Sequence, residues 1–386
     1  MIPFIVTKKK MEKNVHLFTV IQRIIRAIRI GKFFYGMLIF IPISIYFALF
    51  TDNKTMTFIT SILSIIPLAR FMGYATKEIS LQTNPTVSGL FSATFGNAIE
   101  LIIAIIALSK GLAMVVQASI IGSIIGNMLL LVGLSIFFGG LKYKNQRFNN
   151  ETIAVSSTML IIVIAGLSIP SVYNFLFDPG LHVMTGENHV HILSIAVAVV
   201  LAVIYIAGLI FSLRTHKDLF DASDEMKATH EKVTMSVRLA AFILLLSIVI
   251  VSIESEFLVT GIEEAAVTIG ITKTFIGIVI IAIITNIAEK TTAVHFARAD
   301  KLDVSIEIGL SSAIQIALFV VPILLLISRI FAFNFSLVFT PFEILALILA
   351  VLIINYLSAD GRCNWLEGAQ LISVYAIIAI AFFFVP

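Results

Sequence analysis

The chain has 386 residues, of which 59% are hydrophobic and 13% charged, about half the charged share of an ordinary soluble domain. A formal net charge of +3 gives no argument for a nucleic-acid partner, and a single cysteine, Cys363, excludes an intrachain disulfide framework and a multi-cysteine metal site. What remains is a polytopic, all-α membrane protein.

The N-terminal tail carries the basic run KKKMEK from Lys8 to Lys13. The segment from Val20 to Ile30 then places Arg23, Arg26 and Arg29 among isoleucines, which predicts an amphipathic helix on an anionic inner leaflet. No small-residue cleavage site follows the first apolar run at Phe33, so a removable signal peptide is not expected.

Eleven spans follow, at roughly 33–50, 57–73, 86–109, 112–139, 152–174, 189–213, 233–258, 273–298, 302–332, 336–358 and 364–385. With the N-terminus in the cytoplasm, 21 Lys and Arg residues fall inside, and Lys54, Lys110, Lys273 and Arg329 fall outside, while Lys290 sits within a span. That bias agrees with the positive-inside rule, and the cell membrane is the expected location.

The polar segment RTHKDLFDASDEMKATHEK divides the chain. Residues 1–56 hold the basic tail and an extra first helix, 57–213 a first five-helix unit, 214–232 a linker helix and 233–386 a second five-helix unit. Five spans per unit is odd, so the two units enter the membrane from opposite sides, the inverted-repeat arrangement of many secondary transporters. In the linker, Asp218, Asp221, Asp224 and Glu225 share one helical face and are expected to be solvated or to modulate transport by attracting cations.

The strings GNAIE (Gly96 to Glu100) and TNIAE (Thr285 to Glu289) each put an Asn and a Glu in the middle of an apolar stretch. Carboxylates at such depth are costly and normally face an ion pathway. Asn97 and Glu100 share a helix face, as do Asn286 and Glu289. Gly96 permits a close helix approach or a local break. The pairs Asn97/Asn286, Glu100/Glu289 and Ser123/Ser312 are all 189 residues apart, the mark of an internal repeat.

Further oxygen donors follow each motif: Gln117, Ser119, Ser123 and Asn127 in the first half, Ser305, Ser311, Ser312 and Gln315 in the second. A hard-oxygen set without thiolate or imidazole suits calcium, and a bound dication competes with protons for two facing carboxylates. Ser119, Ser305 and Gly122 are expected to serve packing, while Gln117 and Gln315 stand open between packing and coordination. Glu254, Glu256, Glu263 and Glu264 are expected on a solvated outer surface, with a cation-gathering vestibule as the alternative, and Glu78 at the inner end of span two is read likewise, as solvated or modulating. Glu343 and Glu367 are expected to make interhelix hydrogen bonds.

GNAIELI, QASIIGSIIGNMLLLVGLSIFFGGL, SSAIQIALFVVP and NWLEGAQLISVYAIIAIAFFF together resemble the calcium/proton exchanger (CAX) family of the calcium/cation antiporter superfamily, over nearly the whole chain after Phe33. The resemblance implies eleven helices, one extra plus two inverted five-helix repeats, and proton-driven export of cytosolic calcium by alternating access. It implies Glu100 and Glu289 as the ion-binding and proton-binding residues, flanked by Asn97 and Asn286, with no cofactor beyond the transported Ca2+ and H+. The partners are then calcium, protons and the lipid bilayer, and a homo-oligomer is compatible with it.

This chain departs from the family pattern GNAAEH at Thr285 and Lys290, and has Ser311 for a later Gly. At one position beyond Glu289, Lys290 is expected to point about 100° away from it; aimed inward, it would weaken dication binding. Exchange of another cation, sodium drive, and a non-transporting scaffold or sensor remain as alternatives. No nucleophile/base constellation, phosphate loop or HExxH motif suggests an enzyme.

Overall fold

A computed structural model of the chain describes residues 31–177, 186–216, 233–357 and 360–385. The basic tail up to Ile30 and the linker acids Asp218, Asp221, Asp224 and Glu225 lie outside the described residues. Apart from one short antiparallel pairing of β1 (Gln146–Arg147) with β2 (Arg362–Cys363), the regular structure among the described residues is helical. A backbone in hydrocarbon must satisfy its own hydrogen bonds, and a helix does so within one segment.

In chain order the helices are α1 (Lys32–Phe50), α2 (Lys54–Ser80), α3 (Pro85–Gly96), α4 (Ala98–Ser109), α5 (Ala113–Gly140), α6 (Asn150–Phe177) and α7 (His189–Thr215). There follow α8 (Val237–Ile269), α9 (Lys273–Thr285), α10 (Ile287–Ala297), α11 (Leu302–Ile330), α12 (Pro341–Leu357) and α13 (Trp365–Phe384). Among the described residues, 8 are unbroken, long and apolar enough to cross a membrane, or up to 10 if α3/α4 and α9/α10 each form one bent span. α12 is apolar but shorter.

The termini have local causes. Asn53 caps α2 by accepting from the Met56 N–H at 2.9 Å, and Ser236 caps α8 through the Leu239 N–H. α8 ends on Gly270, whose φ of 76° is the left-handed conformation that glycine adopts without penalty. Glu343 accepts from the Thr340 N–H at 2.8 Å and the Thr340 hydroxyl at 3.0 Å; Glu367 accepts from the Asn364 N–H at 2.8 Å. Both acids close capping boxes at the starts of α12 and α13, which replaces the expected interhelix role.

α8 runs eleven residues beyond the expected end at about 258, and this corrects the placement of its acids. Glu254 is fully buried, accepting from the Ser44 hydroxyl of α1 at 2.6 Å, with Ser61 and Ser64 of α2 beside it. Glu256 and Glu263 do lie outward, paired with Lys110 at 2.5 Å and with Lys273. Glu78 is also corrected: it is buried, and its carboxylate accepts from the Thr234 N–H at 3.0 Å, the Thr234 hydroxyl at 2.8 Å and the Met235 N–H at 3.3 Å. It fixes the approach to α8.

Burial grades from the centre outward. In the apolar window of α5 83% of residues are buried and in that of α11 61%, against 22% for α7 and 11% for α1. Val203, Ile206, Leu352 and Tyr356 turn outward, as lipid-facing side chains do. α2 packs along α8, α1 against α2, and α13 against the C-terminal part of α5.

α5 and α9 cross backbone to backbone. A Cβ on Gly122 would enter the Ile278 main chain, and one on Gly277 would lie 2.7 Å from the Val115 carbonyl oxygen. Gly122 therefore serves close packing, as expected for small residues between membrane helices. The 189-residue spacing reappears in the helix starts at Ala98 and Ile287 and at Ala113 and Leu302. π-helical turns interrupt both α5, at Gly126–Leu131, and α11, at Ile316–Val320.

Candidate ion-binding site

Both bent helix pairs break on an asparagine. Asn97 has φ −105° and ψ 20°, Asn286 φ −95° and ψ 14°, outside the helical well and inside the sparsely populated bridge region. The bends are 43° between α3 and α4 and 56° between α9 and α10. Each break begins a new helix inside the protein and puts an acid in its first turn, Glu100 in α4 and Glu289 in α10. The partial positive charge at a helix N-terminus favours an acidic side chain there.

Gly96 precedes the first break. A Cβ on it would meet nothing within 4 Å, so its position agrees with the break and not with the alternative of a close helix approach.

The central helices bring the predicted residues together. The Asn127 amide donates to Asn286 Oδ1 at 3.0 Å and to the Ser312 hydroxyl at 2.8 Å. The Asn286 amide lies 3.2 Å from the Ser123 hydroxyl, 3.1 Å from the Ala282 carbonyl and 3.0 Å from the Thr285 hydroxyl. The Asn97 amide donates to Gln315 Oε1 at 2.8 Å. Asn97, Asn127, Asn286, Ser123, Ser312 and Glu100 are all buried. The Thr285 hydroxyl lies beside the Glu100 carboxyl, and Ser312 beside that of Glu289.

Three oxygens in this cluster are sealed from solvent without a hydrogen-bonding partner among the described residues: Oε2 of Glu100, Oε2 of Glu289 and Oδ1 of Asn127. Buried acceptors are normally satisfied. Carboxylate and amide oxygens left this way are hard ligands of the kind calcium takes, and a carboxylate oxygen can equally take a proton. Among the described residues no group of three or more His, Cys, Asp and Glu side chains forms a metal cluster; two carboxylates are supplemented here by amide and hydroxyl oxygens.

Other predicted residues fall elsewhere. Gln117 donates its amide to the Ser336 and Val338 carbonyls at 3.0 and 2.9 Å, bracing the irregular segment before α12, and is not part of the cluster. Ser305 donates to the Ala293 carbonyl at 2.7 Å, the packing role expected of it. A cleft of about 500 Å³ lined by Lys142, Thr291, Val294, His295, Arg298 and Ala299 includes neither glutamate.

Lys290 is the main surprise. It is buried, with its ammonium 3.4 Å from the Ala282 carbonyl, and it lies in the electrostatic field of both Glu289 and Glu100. The sequence expects it to point about 100° away from Glu289; beside a 56° bend the side chain is buried and its tip rests on the Ala282 carbonyl. Arg70 was absent from the candidate set: from α2 it donates to the Ala288 carbonyl at 3.2 Å, Thr291 at 3.2 Å and Thr292 at 2.9 Å, tying α2 to α10 next to Glu289. An arginine within a predicted apolar stretch was the signal available for it.

Comparison with known proteins gives the family. The family model described as sodium/calcium exchanger protein matches residues 53–214 and 239–384. The chain belongs to this family. It is 41% identical over 365 residues to a protein of Aphanothece halophytica named Ca(2+)/H(+) antiporter, covering 92% of this chain and 96% of that protein. It is 33% identical over 361 residues to the vacuolar calcium ion transporter of Schizosaccharomyces pombe, covering 94% and 87%. Among solved structures, native YfkE superposes with a TM-score of 0.79 at 36% identity, covering 92% of this chain and 100% of that one. A second YfkE structure, at TM-score 0.76, is described as a Ca2+/H+ antiporter. The chain is thus an integral membrane transporter, not an enzyme.

Proposed function

We propose that the protein is a proton-coupled calcium antiporter. The observation that carries this is the pair of buried, unpartnered carboxylate oxygens on Glu100 and Glu289, each in the first turn of a helix that begins inside the protein. The antiporters named among its relatives supply the ion and the counter-ion.

Calcium enters between the two carboxylates, which surrender their protons to it; the amide and hydroxyl oxygens around them complete its shell. Asn97, Asn286, Ser123, Ser312 and Gln315 hold the breaks together and face the same space. On the opposite side of the membrane the protons return and calcium leaves. Either load neutralises the carboxylates, so the occupied site can pass through the low-dielectric stage of alternating access, while the bare dianionic site cannot.

The architecture we infer is eleven spans: α1 as an extra helix, then two five-helix units of opposite orientation, with each bent pair and α12 counted as spans. The recurrence of breaks and helix starts at the 189-residue spacing supports it. We place the N-terminus in the cytoplasm from the lysine and arginine distribution, and the protein in the cell membrane. A vacuolar relative keeps an internal membrane as the competing location.

The reading is tested by calcium-dependent proton release from proteoliposomes, followed with an entrapped pH dye. Proton movement on calcium addition, unaltered when choline replaces sodium, is expected. Movement that requires sodium would replace the proton with sodium as the driving ion.

A further inference from the structure

Lys290 departs from the GNAAEH pattern, and its ammonium is buried against the Ala282 carbonyl, the same carbonyl that the Asn286 amide meets at 3.1 Å. Its one hydrogen bond among the described residues is the 3.4 Å contact to the Ala282 carbonyl, long for a donor that can make three. Glu100 and Glu289 both act on it electrostatically, yet neither closes an ion pair with it, and each keeps an oxygen without a partner. A buried ammonium is normally paired or surrounded by acceptors. This one rests on a single long bond at the end of a flexible four-carbon stem, within the field of both carboxylates.

We propose that the Lys290 ammonium is a tethered cation, competing with the transported ion for the oxygens of Glu100 and Glu289 and thereby setting the affinity and selectivity of the site. The claim rests on the calcium reading above and deepens it. A dication entering between the carboxylates meets a fixed positive charge in surroundings that screen poorly, so the ammonium must withdraw to the Ala282 carbonyl before calcium can bind. When calcium leaves, the ammonium moves back toward the oxygens. A monovalent cation feels half of the repulsion, so the lysine shifts selectivity away from dications.

The test uses the full-length protein with Lys290→Gln, Lys290→His and the charge-preserving Lys290→Arg. In proteoliposomes under a pH gradient, the calcium concentration for half-maximal uptake is expected to fall at least tenfold in Lys290→Gln and Lys290→His, about 1.4 kcal/mol of binding, and to stay near the parent value in Lys290→Arg. In detergent, added calcium is expected to raise the unfolding temperature of Lys290→Gln by more than it raises that of the parent.

Equal half-saturation in the parent and the Gln variant, or equal thermal shifts, would overturn the tethered cation, as would loss of uptake in a folded Gln variant. Should no form transport calcium, the antiporter reading falls, and the thermal shifts alone decide the lysine: a larger shift in Lys290→Gln upholds it and an equal shift overturns it.

Discussion

Asn127 in the first half of the chain and Asn286 in the second are joined by a 3.0 Å hydrogen bond in which the Asn127 amide donates to the Asn286 side-chain oxygen. The same amide also donates to Ser312 at 2.8 Å, so one residue of the first half holds two residues around the second break. Asn127→Asp removes both amide donors and sets a buried carboxylate against the Asn286 side-chain oxygen, an acceptor facing an acceptor. Each unsatisfied buried group costs about 1–3 kcal/mol. A fall of several degrees in unfolding temperature, with reduced calcium uptake, is expected, and thermal unfolding in detergent measures the first part.

Gly122 sits where α5 crosses α9, and a Cβ there would enter the main chain of Ile278. Main chain cannot turn aside as a flexible side chain can, so the helices must separate. Gly122→Ala is expected to destabilise the protein by about 1–3 kcal/mol, and Gly122→Leu to prevent folding. Yield of monodisperse protein on size exclusion, with thermal unfolding of the Ala variant, checks both.

Glu254, buried between α8, α1 and α2, accepts from Ser44 and lies apart from the Glu100/Glu289 cluster. Glu254→Ala should lose about 1–3 kcal/mol of stability, while half-saturation by calcium stays within twofold of the parent. A large change in half-saturation without a change in unfolding temperature would contradict the structural role assigned to it.

Cys363, on β2 outside the helices, is buried, and burial, with the negative charges of Glu367 and Asp360 nearby, pushes its thiol well above the ordinary range. Because a raised value leaves less thiolate at any given pH, alkylation at pH 7–8 should be far slower than for a free exposed thiol and should climb only at more alkaline pH. Maleimide labelling, native against denatured, measures this; rapid native labelling at neutral pH would contradict it.

Much of the site was legible because polar residues in the middle of apolar runs have few explanations. The two Asn/Glu pairs and the serines at the same spacing pointed to the residues that the fold brings together. Direction was less legible. A helical wheel sets Lys290 about 100° from Glu289 but does not say where so long a side chain ends beside the Asn286 break: it is buried, with its tip on the Ala282 carbonyl. Hydropathy ended α8 near 258 and so left Glu254 at the surface, whereas Gly270 was the stop signal that the helix uses. The Thr340/Glu343 and Asn364/Glu367 spacings were capping boxes in plain view. Gln117 could not have been placed, since its partners are the Ser336 and Val338 carbonyls, in an irregular segment whose path no local pattern encodes.

The central claim is that Glu100 and Glu289 bind calcium in competition with protons. The most direct test is calcium uptake into proteoliposomes under an imposed pH gradient by the parent protein, Glu100→Gln and Glu289→Gln, with each variant shown to be folded. The account predicts gradient-driven uptake in the parent and at least a hundredfold loss in each variant, because Gln keeps the shape but can neither carry the negative charge nor exchange a proton. Undiminished uptake in either variant would contradict it.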